Sequence, residues 1–408
     1  MVAQALSVAL SSALIGGIAG ALGALLMFLI DWVTKLGWGA DVLMGFPSGS
    51  PVALQLLIPV LVGVIIGALR LRGAEPLPEL HSTLEELHHQ SSIKIQIKSS
   101  HLLLGLLALI GGGTIGPEAL LSRAVAEWSV GLSRWRWLKN LPHRASCSVS
   151  GVLGLFGLPL IGGIALAERP ERPMPSSLWR WLPGISSGIA GFAAFQGLTR
   201  FGSGELGVPY VWPSDSQQLL VHLFWALVLG LLGGSIGLIF LHWRKICEAG
   251  LQRRLPNPFS QAILTGIVIG IISQLQPLAL FSGEQQITPM LQKEFAIGAS
   301  GFILLGILKL ASCGLCLSSG WVGGLFFPLI FSACSIAQGL ALGWPDLIPE
   351  QVATSSMAAA IQSAVLGQAL LPILITAGVL KGHAMGGAMV GSVVGLGLRQ
   401  ISLPRSSD

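Results

Sequence analysis

Charge is what this chain most lacks beside a soluble protein. Asp, Glu, Lys and Arg make up 10% of its 408 residues, against about 25% in an ordinary soluble domain. Mean hydropathy is +0.75 and hydrophobic residues are 52% of the whole, so a water-soluble globular protein is excluded. No hydrophilic block is long enough to fold as a separate unit, which leaves a single membrane domain over 1–408. Disulfide chemistry is excluded too: five cysteines, all in or beside apolar runs, form no framework. Cys313 and Cys316 make a CxxC inside LKLASCGLCLSS, where thiols fill apolar space rather than meet an oxidant. HExxH, a serine elbow and paired intramembrane histidines are all missing, which removes the usual warrants for a membrane-embedded enzyme. The net charge of +5 is too small and too scattered for a nucleic-acid partner. Only one tyrosine is present, Tyr210.

What remains is apolar sequence broken by glycine. Apolar segments fall near 5–30, 52–70, 101–127, 145–167, 183–198, 217–241, 261–280, 298–317, 321–343, 352–379 and 384–398. Several are shorter than the roughly 20 residues that cross a bilayer as one helix. The 54 glycines, many at small-xxx-small spacing, allow close helix packing and helices that stop within the membrane. The first run, Ala5 to Ile30, exceeds the apolar core of a signal peptide and lacks a basic start, so it reads as a retained helix. Basic residues collect at Arg134, Arg136, Lys139 and Arg144, and again at Arg244, Lys245, Arg253 and Arg254. The positive-inside rule assigns both stretches to cytoplasmic loops. Trp135, Trp137, Trp179 and Trp181 beside arginines read as interfacial anchors. HSTLEELHHQ, with His81, His88 and His89, lacks the spacing of zinc ligands on one helix face and reads as a solvated amphipathic linker.

Within this background LLLGLLALIGGGTIGPEALL stands out. Glu118 is an acid in the middle of apolar sequence, and such a residue marks a functional site unless it finds a purely structural partner. Three glycines and then Gly116-Pro117 end one helix and start another, whose free N–H groups form an anion site. The second half repeats the device. SSGWVGGLFFP, from Ser318 to Pro328, is again a polar, glycine-rich break reopening into an apolar run. The proline-rich and charged stretch from Ala167 to Gly184 divides the chain into approximate repeat halves, 1–170 and 180–408. Paired interrupted helices in corresponding halves point to a transporter binding site at the repeat interface. Ordinary kinks in a helical bundle are the plainer alternative.

These residues resemble the CLC family of chloride channels and chloride/proton exchangers. SSGWVGGLFFP is similar to the family's GxFxP signature with its preceding SSG. GPEAL, Gly116 to Leu120, resembles GREGP with the glutamate in place, and GLPLIGGIALAE, Gly157 to Glu168, is similar to the NAPLAGxLFxxE stretch. The resemblance implies an all-α inverted-repeat bundle of short, tilted and broken helices, a divergent prokaryotic-type member without CBS domains. It implies a homodimer in a bacterial-type plasma membrane, moving chloride or a similar anion with no cofactor and no metal. The implied anion donors are the backbone amides of Gly116, Glu118, Ala119, Leu325, Phe326 and Phe327, with Glu118 as gate and proton carrier. A carboxylate can occupy an anion site when ionised and leave it when protonated.

The departures narrow that expectation. The serine that contacts the central anion falls near Ala74 to Pro78, where Glu75 stands. The C-terminal tyrosine has no counterpart in ITAGVLKGHAMGGAMVGS, and Pro117 removes one backbone donor. The inner proton glutamate aligns with Arg169, leaving Glu168 or His383 as substitutes. The expected function is therefore anion transport as an uncoupled channel or an atypically proton-coupled exchanger. A non-transporting anion sensor or scaffold with a degenerate site is the alternative.

Overall fold

The computed structural model describes residues 2–39, 51–80, 82–83, 99–131, 144–154, 160–163, 181–199, 210 and 212–402. Glu168, His81, His88, His89, Arg134, Trp135, Arg136, Trp137, Lys139, Arg169, Trp179 and the proposed repeat boundary up to residue 180 lie outside them.

The first half contains α1 (Val2–Trp38), α2 (Val52–Leu71), α3 (Ser99–Ile110), α4 (Glu118–Gly131), α5 (Arg144–Leu153) and α6 (Leu182–Thr199). The second contains α7 (Ser216–Arg254), α8 (Pro258–Leu275), a 3-10 turn (Pro277–Ala279), α9 (Glu284–Leu291), α10 (Ala299–Ser319), α11 (Phe326–Gly343), α12 (Glu350–Leu366), α13 (Leu370–Val379) and α14 (Met385–Ser402). Six of these are long and apolar enough to cross a membrane. The protein is thus a multi-pass, all-α integral membrane protein. Among the described residues the only β-type pairing is an isolated bridge between Gly116 and Gly324.

Three apolar runs divide where the backbone must turn. The 101–127 run breaks between α3 and α4 at residues 111–117. The 352–379 run breaks at Gly367, whose φ of +74° is left-handed and closes α12. The 321–343 run starts its helix only at Phe326, after Gly320 has ended α10 with φ +88°. One expectation needs correcting. Arg244, Lys245, Arg253 and Arg254 do not form a loop but the last turns of α7, a helix of 39 residues. At 1.5 Å per residue it is about 58 Å long, so it outruns the hydrocarbon layer and its basic end stands in water, where it also complements the helix dipole.

Close helix crossings rest on missing side chains. Where α1, α5 and α6 meet, a Cβ on Gly16 would strike Ser187, one on Gly20 would strike the Gly191 backbone, and one on Gly191 would strike that of Gly151. Ser187 fastens the same crossing by donating to the Cys147 carbonyl. Gly191→Leu forces these helices apart, and overpacking of this kind costs about 1–3 kcal/mol. Its thermal unfolding midpoint in detergent falls below wild type; an unchanged midpoint would show that the crossing tolerates a side chain.

The most enclosed span is α11. Phe326 through Gly339 is buried throughout, and α10 and α12 pack against it. Its N-terminus is therefore shielded from lipid on all sides and meets the start of α4 inside the protein.

Candidate functional site

The site is built from two helix starts and two loops. The loop before α4 is a tight strap. Gly113 N–H donates to Ala108 O at 3.0 Å and Ile115 N–H to Gly113 O at 2.9 Å, while Trp38 Nε1 holds Ile110 O at 2.8 Å. Pro117 fits the helix start because it needs no N–H there, and its carbonyl accepts from Leu121 at 2.8 Å. The loop before α11 is fixed by Trp321 Nε1 on Ala262 O at 3.0 Å and by Arg70 Nη1 on Ser319 O at 2.7 Å. The two loops then clasp each other: Gly116 N–H donates to Gly324 O at 2.8 Å, and Gly324 N–H to Gly116 O at 2.6 Å.

Across this clasp lies the Glu118 side chain, fully buried. Its Oε1 accepts the N–H of Phe326 at 2.5 Å and of Phe327 at 3.3 Å, and its own backbone N–H also faces the carboxyl group. Oε2 has no hydrogen-bond partner. A carboxylate oxygen thus sits where the free amides of a helix N-terminus would hold an anion. Both clasp glycines leave room for this seat, because a Cβ on Gly116 or Gly324 would overlap the Glu118 carboxyl group and push it aside.

Among the expected amide donors, Phe326 and Phe327 point at the carboxylate. The Gly116 amide does not: it is spent on the Gly324 carbonyl, a pairing of residues 208 positions apart that spacing alone could not reveal. Ala119 is buried in the first turn of α4, and Leu325 lines the adjoining pocket.

That pocket, narrow and partly open, about 20 Å³ in volume, runs from Glu118 past Gly323, Gly324 and Leu325 to Glu79, Leu80, Leu366, Gln368 and Leu371. Its mouth is marked by an ion pair: Arg244 Nη1 lies 3.2 Å from Glu79 Oε2, and Nη2 bonds the other carboxylate oxygen. Arg244 belongs to the basic end of α7, so the pocket opens on that side. Glu79 and Gln368 were not anticipated. The signal for Gln368 is Gly367 before it, a third glycine break between apolar runs; Glu79 carries no local signal.

The substituted positions sit elsewhere. Glu75 is largely exposed, with Oε2 3.8 Å from His101 Nε2. Tyr210 bonds His222 Nδ1 at 2.5 Å and packs with Trp212, away from Glu118. His383 borders a separate pocket with Glu350 and Leu291. The described residues contain no group of three or more His, Cys, Asp or Glu able to hold a metal. Cys313 and Cys316 are free and buried.

Residues 63–400 match the model of the family described as voltage gated chloride channel. The "Putative ion-transport protein YfeO" of Escherichia coli O7:K1 (strain IAI39 / ExPEC) is 23% identical over 269 residues, 65% of this chain and 61% of that protein. The match therefore spans less than two thirds of that relative's length. The "H(+)/Cl(-) exchange transporter ClcA" of Citrobacter koseri is 24% identical over 360 residues, 83% of this chain and 72% of that protein. Among solved structures, a CLC-type fluoride/proton antiporter superposes with a TM-score of 0.76 at 18% identity, covering 97% of this chain and 96% of the other. A slow cyanobacterial Cl-/H+ antiporter gives 0.76 at 17%, covering 98% and 95%. These likenesses establish a common fold.

Proposed function

Because the chain belongs to the voltage gated chloride channel family, we propose that it carries chloride or a similar small inorganic anion across the membrane, with Glu118 as the gate. The observation that carries this reading is the Glu118 carboxylate on the Phe326 and Phe327 amides. Ionised, the side chain is its own anion and closes the path. Protonated, it loses the charge those amides hold and gives way to a transported ion. Flux therefore rises as pH falls.

The H(+)/Cl(-) exchange transporter and the two antiporter structures support an anion as cargo, and the family resemblance supports a homodimer in a bacterial plasma membrane, one pathway per subunit. We read the chain as one membrane domain of two halves. Transport is uncoupled or atypically coupled to protons, since the aligned inner position holds Arg169 and the central serine and tyrosine are unmatched. The ion pair of Glu79 with Arg244 at the mouth partly neutralises a carboxylate that would otherwise repel an entering anion.

Chloride-gradient-driven efflux from proteoliposomes tests this. Transport predicts saturable flux, whereas chloride-dependent thermal stabilisation without flux would favour a sensor or scaffold. A reversal potential that shifts with the pH gradient would identify coupling. A second variant probes the seat of the gate. Gly324→Ala puts a methyl group into the Glu118 carboxyl position, so it displaces the gate, raises flux at neutral pH and flattens the pH response; a wild-type profile in a folded Gly324→Ala protein counts against the assignment.

A further inference from the structure

Two buried ionisable residues outside this site have no role in the account so far. Lys309, in the middle of α10, is fully buried. Its Nζ donates to Leu280 O at 2.7 Å and lies 4.5 Å from the centroid of the Phe331 ring on α11. Glu284, the first residue of α9, bonds the Ser282 side chain, but its buried Oε2 has no hydrogen-bond partner. Two residues on, Gln286 is 1% exposed with neither side-chain Oε1 nor Nε2 bonded. Three unpaired buried polar atoms on one short helix mark a place for bound water. A buried ionisable residue in a membrane protein is a functional-site hypothesis by default.

The surroundings give this pair a direction. The charged groups acting on Glu284 are Lys309 from α10, Glu118 from α4 and Asp31 from α1; α11 offers the Phe331 ring against Gly283. Asp31 is partly exposed, pairs with Lys35 at 2.7 Å and accepts from Gln285 Nε2 at 3.4 Å. The segment carrying Leu280 also braces the strap before Glu118: Thr114 Oγ1 donates to Ala279 O at 3.3 Å, and Phe281 N–H to Gly112 O at 3.4 Å. Because α8 crosses the membrane between the basic end of α7 and this segment, Asp31 and Glu284 face the side opposite the Glu79 mouth.

We propose that Glu284 is a second proton site of the transporter, linking Glu118 to the membrane face at Asp31, with Lys309 as its fixed counter-charge. A proton from water at Asp31 passes along bound water to the Glu284 carboxylate. It then moves to the Glu118 carboxylate, which leaves the Phe326 and Phe327 amides while Glu284 regains its charge. This inference rests on Glu118 being the gate.

The test is the pH profile of chloride efflux and its response to a pH jump, measured in proteoliposomes for Glu284→Gln, Glu284→Asp and the charge-neutral double variant Glu284→Gln/Lys309→Met, beside Glu118→Gln. Glu284→Gln and the double variant retain chloride flux, but the midpoint of the pH profile moves by about one unit or the response to the jump slows about tenfold. Glu284→Asp stays near wild type. The double variant leaves no lone buried charge, so it answers the question even if Glu284→Gln fails to fold. A folded double variant with a wild-type profile and response overturns the proposal while leaving the gate intact. Persistent pH dependence in Glu118→Gln would instead overturn the gate itself.

Discussion

In proteoliposomes at neutral pH, Glu118→Gln passes chloride faster than wild type by roughly tenfold to a hundredfold and no longer responds to acid. The magnitude follows from the contacts. A hydrogen bond to a charged group contributes about 1.5–3 kcal/mol more than no bond, and each 1.4 kcal/mol is about tenfold in occupancy. The Glu118 carboxylate takes the Phe326 and Phe327 amides together. Glutamine fills the same volume and can still offer a carbonyl, but it brings no charge, so a chloride ion outcompetes it for the helix N-terminus. In wild type the same release needs a proton, and efflux climbs as pH falls. A Glu118→Gln protein that keeps the wild-type pH profile would take the gate away from Glu118.

The second large effect is on stability. Arg123→Met unfolds far more readily than wild type, by about 3–5 kcal/mol, the usual consequence of stranding one partner of a buried ion pair. Arg123 Nε lies 3.0 Å from Glu127 Oε1, and both side chains are within 5% of full burial. His101 Nδ1 stands 3.7 Å from the same oxygen, so the group ties α3 to α4 within about two and a half turns of Glu118. Removing the guanidinium leaves Glu127 buried beside one imidazole. The double variant Arg123→Met/Glu127→Leu removes both charges and recovers most of the loss. Tryptophan-monitored denaturation in detergent measures both. A double variant no more stable than Arg123→Met would mean that helix packing, not the stranded carboxylate, sets the loss.

The features legible in sequence were those written in local contrast. Glu118 shows because an acid interrupts an apolar run. The starts of α4 and α11 show because glycine and proline break helices wherever they cluster. Their pairing was foreshadowed by the two halves sharing one device, and the helix starts at Glu118 and Phe326 followed. What stayed hidden depends on contacts between distant positions. The Gly116 amide reads as a free donor until Gly324, more than two hundred residues on, takes it. Glu75 stands at the position aligned with the serine, yet the pocket wall uses Glu79, four residues further, because Arg244 reaches it from the end of α7. Read as a loop, the basic end of α7 conceals that reach. Lys309 interrupts an apolar run as visibly as Glu118 does, whereas Glu284 stands among the polar residues of SGEQQ, and only the fold brings the two behind the strap.

Bromide diffraction on Glu118→Gln crystals at neutral pH tests the central claim most directly, since bromide replaces chloride and its anomalous signal locates it. The account predicts a bromide peak on the Phe326 and Phe327 amides in Glu118→Gln and none there in wild type, where the carboxylate holds the position. A bromide bound at those amides in wild type alongside an unmoved Glu118, or no bromide there in the variant, would contradict it.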